Sequence, residues 1–511
     1  MPSAEQRPLS TSACAESRRP PLPGRLELTR VLLISTYELG HQPLQLAMPA
    51  TALLAVGHDV RCVDLAVDPL DEAAVDWAER VAFSVPMHTA MRLALRVAET
   101  IRTRRPELPL CFYGLYAQVS RSLTDRSATD AVIAGEYEPG LVAWACGQDP
   151  GPAIQLTRAR ARVPARHLLP PLDRYARLAV DGEERLVGSV EASRGCSHRC
   201  RHCPVPVVYD GRVRAVDEAA VVADVDQLVV AGARHITFAD PDFLNTPLHS
   251  RRVVAAIHQR HPNLTFDCTT KVEHILRYPE LWPELAEAGC AFVVSAFESV
   301  SNSILEHLDK GHSVADASKA VVLLRDHGIE VRPSWLPFTP WTTIDDLVDL
   351  VDFVVAHDLA PNVDPVQYTV RLLVPEGSLL LGRASMTPHL GPYDLARLGR
   401  MWLHPYPAVD QLQQELATLV EERVEQPATQ TFEEIDALIR AKAAIFRPPP
   451  PRGAISKGAA GERARLTEPW FCCSEPTEAQ LAPLGSPRPP FVQEGFTKVS
   501  SAEESSRFNA G

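Results

Sequence analysis

From Val31 to Leu372 the chain repeats one pattern: a short apolar run of β-type residues, then a longer stretch with helical spacing. Strands alternating with helices pair in parallel, because each crossover helix returns the chain to the same edge and covers a face of the sheet. The pattern excludes a helical bundle and an antiparallel sandwich. It runs in two series. In the first, Val31–Ser35, Val60–Leu65, Val81–Val85, Leu110–Tyr113 and Ala131–Ile133 read as strands. Pro43–Val56, stopped by Gly57, and Thr89–Arg104 read as helices. This predicts an α/β chain whose residues 28–150 form a doubly wound, Rossmann-like domain. A Pro- and Arg-rich linker, 151–187, precedes the second series: Val187–Glu191, His235–Phe238, Thr265–Cys268, Phe292–Ser295, Glu330–Arg332 and Gln367–Leu372. Helical stretches such as Glu218–Val230, Arg251–Arg260 and Val314–His327 separate these strands. A partial (β/α) barrel is expected over 188–390, then a helical region over 391–446. Residues 1–27 read as a disordered arm and 447–511 as a disordered tail, where the composition shifts at Pro448–Pro451.

Both architectures bind ligands at the carboxyl ends of their parallel strands. In the first series those ends are Ser35–Tyr37, Ser84–His88, Gly114–Tyr116 and Gly135–Glu138. No GxGxxG follows the first strand, so a dinucleotide site has no support. The net charge of −13, from 64 acidic and 51 basic residues, argues against a nucleic-acid-binding role. No stretch approaches about 18 consecutive apolar residues, so no membrane partner is expected. Residues 1–25 lack an apolar h-region, and the cytoplasm is the expected compartment. There, clustered cysteines bind metal or do redox chemistry, whereas scattered ones pack as small hydrophobes. Of the 11 cysteines, Cys62, Cys111, Cys268 and Cys290 fall in strand-like runs and read as packed thiols.

Two cysteine groups stand apart. Cys196-Ser-His-Arg-Cys200-Arg-His-Cys203 follows a strand and Gly195. Three thiolates on one short loop can each hold one iron of a cubane cluster. A 4Fe–4S cluster usually takes four thiolates, so three leave one iron open. An open iron can hold the amino and carboxylate groups of S-adenosylmethionine. The competing reading is a structural zinc site with His198 or His202 as fourth ligand. It lacks the second, separated ligand pair that such sites use.

The CxxxCxxC spacing resembles the cluster motif of the radical S-adenosylmethionine superfamily, with His202 where an aromatic is usual. Ile236-Thr-Phe-Ala-Asp-Pro-Asp-Phe243, Phe292-Val-Val-Ser-Ala-Phe-Glu298 and Lys310-Gly311-His312 are similar to segments of the branch with an N-terminal cobalamin-binding domain. Trp335-Leu-Pro-Phe-Thr-Pro340 departs from that branch's glycine-rich fifth-strand turn. The resemblance spans about residues 28–390. It implies Cys196, Cys200 and Cys203 as cluster ligands and Glu298, with Asp240 and His202, as S-adenosylmethionine contacts. It also implies a cobalamin-binding-type fold for 28–150. Candidate cobalamin contacts at its strand ends are Ser84, Met87, His88, Gly114, Tyr116 and Glu136. The DxHxxG loop of histidine-ligated cobalamin proteins is absent, and His41 and His88 are more readily surface or packed histidines than lower ligands.

The second group, Trp470-Phe-Cys472-Cys473-Ser-Glu-Pro476, resembles the tail signature of the CUAEP/CCAEP-tail radical S-adenosylmethionine proteins, with Ser474 in place of their usual Ala. Ser35-Thr-Tyr-Glu-Leu-Gly40 and Phe83-Ser-Val-Pro-Met-His-Thr89 are similar to that family too. A selenocysteine counterpart at Cys473 implies redox or nucleophilic use of Cys472 and Cys473; the alternative is a docking peptide anchored by Trp470 and Phe471. Asp240, Asp242, Lys271, Glu273, Arg332, Arg371 and Glu376 fall near predicted strand ends and are candidates at the barrel mouth. His258, His261 and His274 show no facial metal spacing and are expected on the surface. The leading expectation is a radical enzyme, a transferase that methylates carbon with cobalamin or makes another radical modification. Its substrate is a small molecule or a peptide, and a flavodoxin- or ferredoxin-like donor supplies electrons. A non-catalytic cobalamin or iron–sulfur sensor and a zinc-stabilised scaffold are the alternatives.

Overall fold

The computed structural model describes residues 28–119, 129–158, 162–180, 182–444 and 463–468. The first series builds a six-stranded sheet from β1 (Arg30–Ser35), β2 (Asp59–Asp64), β3 (Arg80–Ser84), β4 (Leu110–Tyr113), β5 (Ala131–Gly135) and β6 (Ile154–Gln155). Its spatial order is β2-β1-β3-β4-β5-β6, with every pair parallel. Alternation along the strands separates two apolar layers. Leu32, Ile34, Phe83 and Phe112 face helix His88–Arg104, while Leu33, Ala82, Cys111 and Tyr113 face helices Leu44–Leu54 and Glu138–Ala145. Helices therefore cover both faces, as the near-continuous apolar strands require.

The second sheet contains β7 (Arg177–Val180), β8 (Glu183–Val190), β11 (His235–Phe238), β12 (Thr265–Thr269), β13 (Cys290–Glu298), β14 (Glu330–Trp335) and β17 (Arg465–Leu466), with β9 (Ser193–Gly195) and β10 (Val213–Ala215) forming a small antiparallel pair beside it. The order is β14-β13-β12-β11-β8-β7-β17. The five strands from β8 to β14 are parallel and form a half barrel, and β7 and β17 extend its edge antiparallel. Its core is aromatic: Phe238, Phe243, Phe266, Phe297 and Trp335 interlock by tilted and edge-on contacts.

Several expectations need correction. Gln367–Leu372 is not a strand. Pro365–Thr369 is a 3₁₀ turn, and the Gln367 side chain accepts the Trp335 N–H at 2.9 Å, replacing a ladder bond on the open side of β14. One bridge, Phe338 with Arg371, continues the pairing. The region 391–446 opens with a hairpin, β15 (Leu390–Asp394) and β16 (Gly399–Trp402), before helices Pro407–Glu422 and Ala428–Ala444. The stretch 151–187 carries β6 and β7, and residues 463–468 of the tail return to pair β17 with β7. Among the described residues no helix is long and apolar enough to cross a membrane.

Two buried arginines join the sheets. Arg166 clasps Asp224 with bonds of 2.9 and 2.8 Å, donates to the Ser189 carbonyl and reaches Gln42 of the first domain at 3.1 Å. Arg194, on β9, lies among Glu138 (2.6 Å), Glu191 (2.7 Å) and Glu136 (3.9 Å) and over the Tyr137 ring. Truncating one partner of such a buried set leaves uncompensated charge and costs about 3–5 kcal/mol. Arg194→Met should therefore lower the denaturation midpoint of the full-length protein strongly, measured by circular dichroism in urea. Arg30→Met, which opens an exposed pair with Glu79, should shift it by less than about 1 kcal/mol.

Candidate functional site

The chain leaves β8 at Val190, turns through Asp240-anchored backbone and enters the cysteine loop after β9. Asp240 accepts the Ala192 N–H at 2.9 Å and the Ser193 hydroxyl at 2.6 Å. Burial pushes its carboxyl up to about 7. Asp240 thus secures the corner that launches the loop, a positioning duty where the sequence suggested a cofactor contact. Gly195 has φ +75, and a Cβ there would fall 2.2 Å from the Arg212 carbonyl and 2.7 Å from the Tyr209 ring, so only glycine fits between β9 and β10.

Cys196, Cys200 and Cys203 follow within eight residues; all are free thiols, the first two buried and the third half-buried. Burial, then the neighbouring Cys200, pushes the Cys203 thiol up to about 12. Cys196 is raised by burial, with Asp242 and Cys200 adding to it. Cys196 and Cys203 thus resist ionisation, and a multivalent cation among the thiols would favour their deprotonation. Asn245 fixes the loop entrance, accepting from the Ser197 N–H at 3.1 Å and hydroxyl at 2.7 Å. Arg201 fixes its exit, donating to the Glu306 and His307 carbonyls at the end of helix Asn302–Leu308. Nε2 of His198 faces His274 and Asp242, and Nε2 of His202 meets Glu298.

Glu298 ends β13 at φ 62, in the left-handed region, where the register with β14 shifts after Ala296. A non-glycine residue held there is strained, and the bulge turns its side chain toward the loop. Its Oε1 accepts from Lys310 Nζ at 3.0 Å and lies 3.1 Å from His202 Nε2. Burial opposes ionisation of Glu298, but Lys310 and His202 outweigh it and hold the carboxyl far below its usual range. Burial likewise opposes the Lys310 charge, and Glu298 with the Cys200 and Cys203 thiols keeps its pKa raised. The Lys310-Gly311-His312 turn was visible in the sequence, but the Lys310 contact was not assigned there. Arg194 went unnoticed because a charge one residue before a glycine has no local signature.

The first domain's candidates lie at the strand ends where the sequence put them. Ser84 is buried at the end of β3. His88 is buried, and its Nε2 lies 2.7 Å from the Arg397 carbonyl in the β15–β16 turn. Burial lowers its pKa to about 4. Tyr116 stands edge-on to the His88 ring, and Glu136 faces Arg194. Buried polar atoms without a hydrogen bond at these strand ends include Ser84 Oγ together with Glu38 Oε2, His41 Nδ1 and Gln118 Oε1. At the barrel, Arg332 binds Asp364 and the Ala464 carbonyl, and Arg371 binds Asp410 and Trp402, so both brace the fold. Lys271 is buried, with Nζ 3.6 Å from Glu273 Oε2. His258 and His261 lie on helix Pro247–Arg260 and its cap, His261 pairing with Asp226. His274 corrects its surface expectation: it is 3% exposed, turned inward by helix Val272–Arg277. Cys472 and Cys473 lie outside the described residues.

The charge balance at Glu298 sets a pH test. Its folded pKa is depressed below 4.5, so its contribution to stability is present above that value and is lost as pH falls through the folded pKa. In Lys310→Met burial dominates and the folded pKa rises instead. The thermal midpoint of that variant should fall furthest below wild type at pH 8 and approach it as pH drops to 5, read by scanning calorimetry. A constant gap would refute the pairing.

Residues 190–354 match the Radical SAM superfamily. This match implies a 4Fe–4S cluster and S-adenosylmethionine. Among curated proteins the chain is similar to the hopanoid C-3 methylase of Methylococcus capsulatus, 24% identical over 337 residues, covering 61% of this chain and 64% of that protein. It is also similar to the bacteriochlorophyllide d C-8(2)-methyltransferase of Chlorobaculum tepidum, 26% identical over 202 residues, covering 36% of this chain and 43% of that protein. The chain thus spans less than two thirds of the length of either relative. Its fold is similar to the cobalamin-dependent S-adenosylmethionine radical enzyme OxsB with aqua-cobalamin and S-adenosylmethionine bound (TM-score 0.60, 13% identity, 83% of this chain and 74% of that one). The radical S-adenosylmethionine methyltransferase TsrM from Kitasatospora setae, solved with cobalamin and a [4Fe-4S] cluster, aligns with a TM-score of 0.58, 16% identity, 82% of this chain and 100% of that one.

Proposed function

We propose that this chain, whose residues 190–354 form a domain of the Radical SAM superfamily, is an enzyme that modifies an unactivated carbon by radical chemistry, with methyl transfer as its reaction. The observation that carries this reading is the loop of three free thiols at the carboxyl edge of a parallel half barrel, backed by the buried Glu298–Lys310 pair. Cys196, Cys200 and Cys203 would hold a 4Fe–4S cluster there, and the reduced cluster would supply the electron for reductive cleavage of S-adenosylmethionine, which releases methionine and starts the radical chemistry. Lys310 balances the thiolate charge and keeps Glu298 ionised. Glu298 is then an acceptor for the amino or ribose groups of S-adenosylmethionine, and His202 orients it from the loop. The low-dielectric setting strengthens these contacts and keeps water from the reactive centre.

The names of the similar proteins support methylation, and their cobalamin supports a second cofactor at the strand ends of the first sheet. Cobalamin there would supply the methyl group. The groups of this chain that would meet it are Glu38, His41 and Gln118, whose buried polar atoms lack partners, with Ser84 beside them at the strand ends. His88 is buried, and its Nε2 bond to the Arg397 carbonyl holds its ring against the β15–β16 turn, which supports a packing role for it. A flavodoxin- or ferredoxin-like protein would deliver the electron. The substrate, small molecule or peptide, would enter at the carboxyl ends of β11 to β14.

The Cys-Cys tail belongs to the same reading. Residues 463–468 run along β7, and Glu468 Oε1 accepts from the Tyr37 hydroxyl at 3.0 Å, just past the end of β1. Cys472 and Cys473 follow four and five residues later in sequence, which supports a role for them as a reductant, hydrogen donor or thiol carrier for the site. Cys472→Ser with Cys473→Ser should permit a first turnover and abolish later ones; undiminished multiple turnover would remove the tail from the mechanism.

Anaerobically reconstituted protein with substrate extracts should release 5′-deoxyadenosine, detected by mass spectrometry, and the Cys200→Ala variant should release none. Added cobalamin should bring S-adenosylhomocysteine in step with it. Deoxyadenosine without S-adenosylhomocysteine would retain radical initiation and discard methyl transfer.

A further inference from the structure

Beside the cysteine loop, three segments bring His198, Asp242 and His274 together. His198 comes from the loop itself, Asp242 from the turn after β11, and His274 from helix Val272–Arg277 after β12. Their donor atoms all lie within 4.8 Å of one another. His198 Nε2 is 3.3 Å from His274 Nε2 and 3.7 Å from Asp242 Oδ2. His274 Nδ1 is 2.8 Å from the same carboxylate oxygen. Asp242 is fully buried, its Oδ1 accepts the Leu244 N–H, and its Oδ2 faces His274 Nδ1 at ion-pair distance without an aligned hydrogen bond. A hydrogen bond between the two imidazoles would account for their approach alone. It would be long for an N–H donor, and it would leave the buried Asp242 Oδ2 with only its unaligned contact to His274 Nδ1.

We propose that His198, Asp242 and His274 form a second metal site, distinct from the cysteine site, for a divalent ion of zinc or ferrous-iron type. Donors about 2.0–2.1 Å from a tetrahedral ion stand about 3.3 Å apart, and His198, Asp242 and His274 each offer one donor atom within 4.8 Å of the others, which small side-chain shifts would close on an ion. Two histidines and one carboxylate are a donor set suited to such ions, and they leave a coordination position open. Glu273 completes the surroundings: its Oε2 lies 3.6 Å from His198 Nδ1, the outer nitrogen that a carboxylate commonly orients in metal-bound histidines. The ion would tie the cysteine loop to the ends of β11 and β12. The site is independent of the radical reading, since none of its donors is a thiol.

The test loads the full-length, cluster-reconstituted protein with zinc chloride under anaerobic conditions, removes loose metal by chelation and gel filtration, and measures zinc and iron per chain. About one zinc should remain beyond the cluster iron. Zinc-edge X-ray absorption should show nitrogen and oxygen near about 2.0 Å and no sulfur shell near about 2.3 Å. His198→Gln and His274→Gln should each reduce retained zinc at least tenfold with cluster iron unchanged. The variant with Cys196, Cys200 and Cys203 all replaced by serine should keep its zinc, which protects the test against a histidine variant that fails to fold. A sulfur shell, zinc lost with the cysteines, or equal zinc in wild type and His274→Gln would overturn the site.

Discussion

The buried guanidinium of Arg194 is the constraint on which the arrangement of this protein depends. It is two residues before Cys196 and is held by carboxylates from both sheets: Glu136 and Glu138 after β5, and Glu191 after β8. Burial works against its charge, and Glu138 and Glu191 more than offset that cost. A buried charge network is not a strong source of stability, because desolvation offsets most of the attraction. Its value is geometric. With three anions converging on one planar cation, the first sheet has a single docking position against β9, and so a single position relative to the cysteine loop. Arg166, Asp224 and Gln42 repeat the device on the other side of the interface.

The electrostatics of the loop follow from what surrounds it. Glu298 and Asp242 bring buried carboxylates to the loop, and Lys310 and Lys271 are buried beside them. The bulge at Glu298 belongs to the same design. A regular β13 would have sent that side chain to the opposite face, since side chains alternate along a strand. The strained φ of 62 is tolerated because Lys310, His202 and the Leu336 N–H, which donates to the Glu298 carbonyl at 2.8 Å, fix it from three directions.

Much of this was legible in the sequence, where one physical signal decides the outcome. Strand and helix alternation fixed both parallel sheets, because apolar runs bounded by glycine and polar turns have few other uses. The cysteine spacing identified the loop, since spacing within eight residues is local. Failures came where long-range partners decide. Gln367–Leu372 has a strand's composition but closes the barrel with a side chain, and the β15–β16 hairpin was concealed in a stretch judged by its later helices. His274 looked like one of several surface histidines, since neither Asp242 nor His198 is near it in sequence. His88 and Glu136 were correctly placed at strand ends, yet their partners, Arg397 and Arg194, are about 309 and 58 residues away along the chain.

The same long-range partners explain why the loop can be rigid while being almost all irregular backbone. An eight-residue loop of this kind would lose roughly 1–2 kcal/mol of conformational entropy per residue on ordering. Here the ordering is shared out among neighbours that are themselves packed: Asp240 and Asn245 from the end of β11, Arg201 against the carbonyls of helix Asn302–Leu308, and Arg194 against the first sheet. Arg201 sits where that helix presents its unpaired carbonyls and partial negative charge, so its cation is favoured by position as well as by hydrogen bonds. The anchors come from several elements of the half barrel and its companion sheet. The loop geometry is therefore a property of the whole assembled chain rather than of the CxxxCxxC segment.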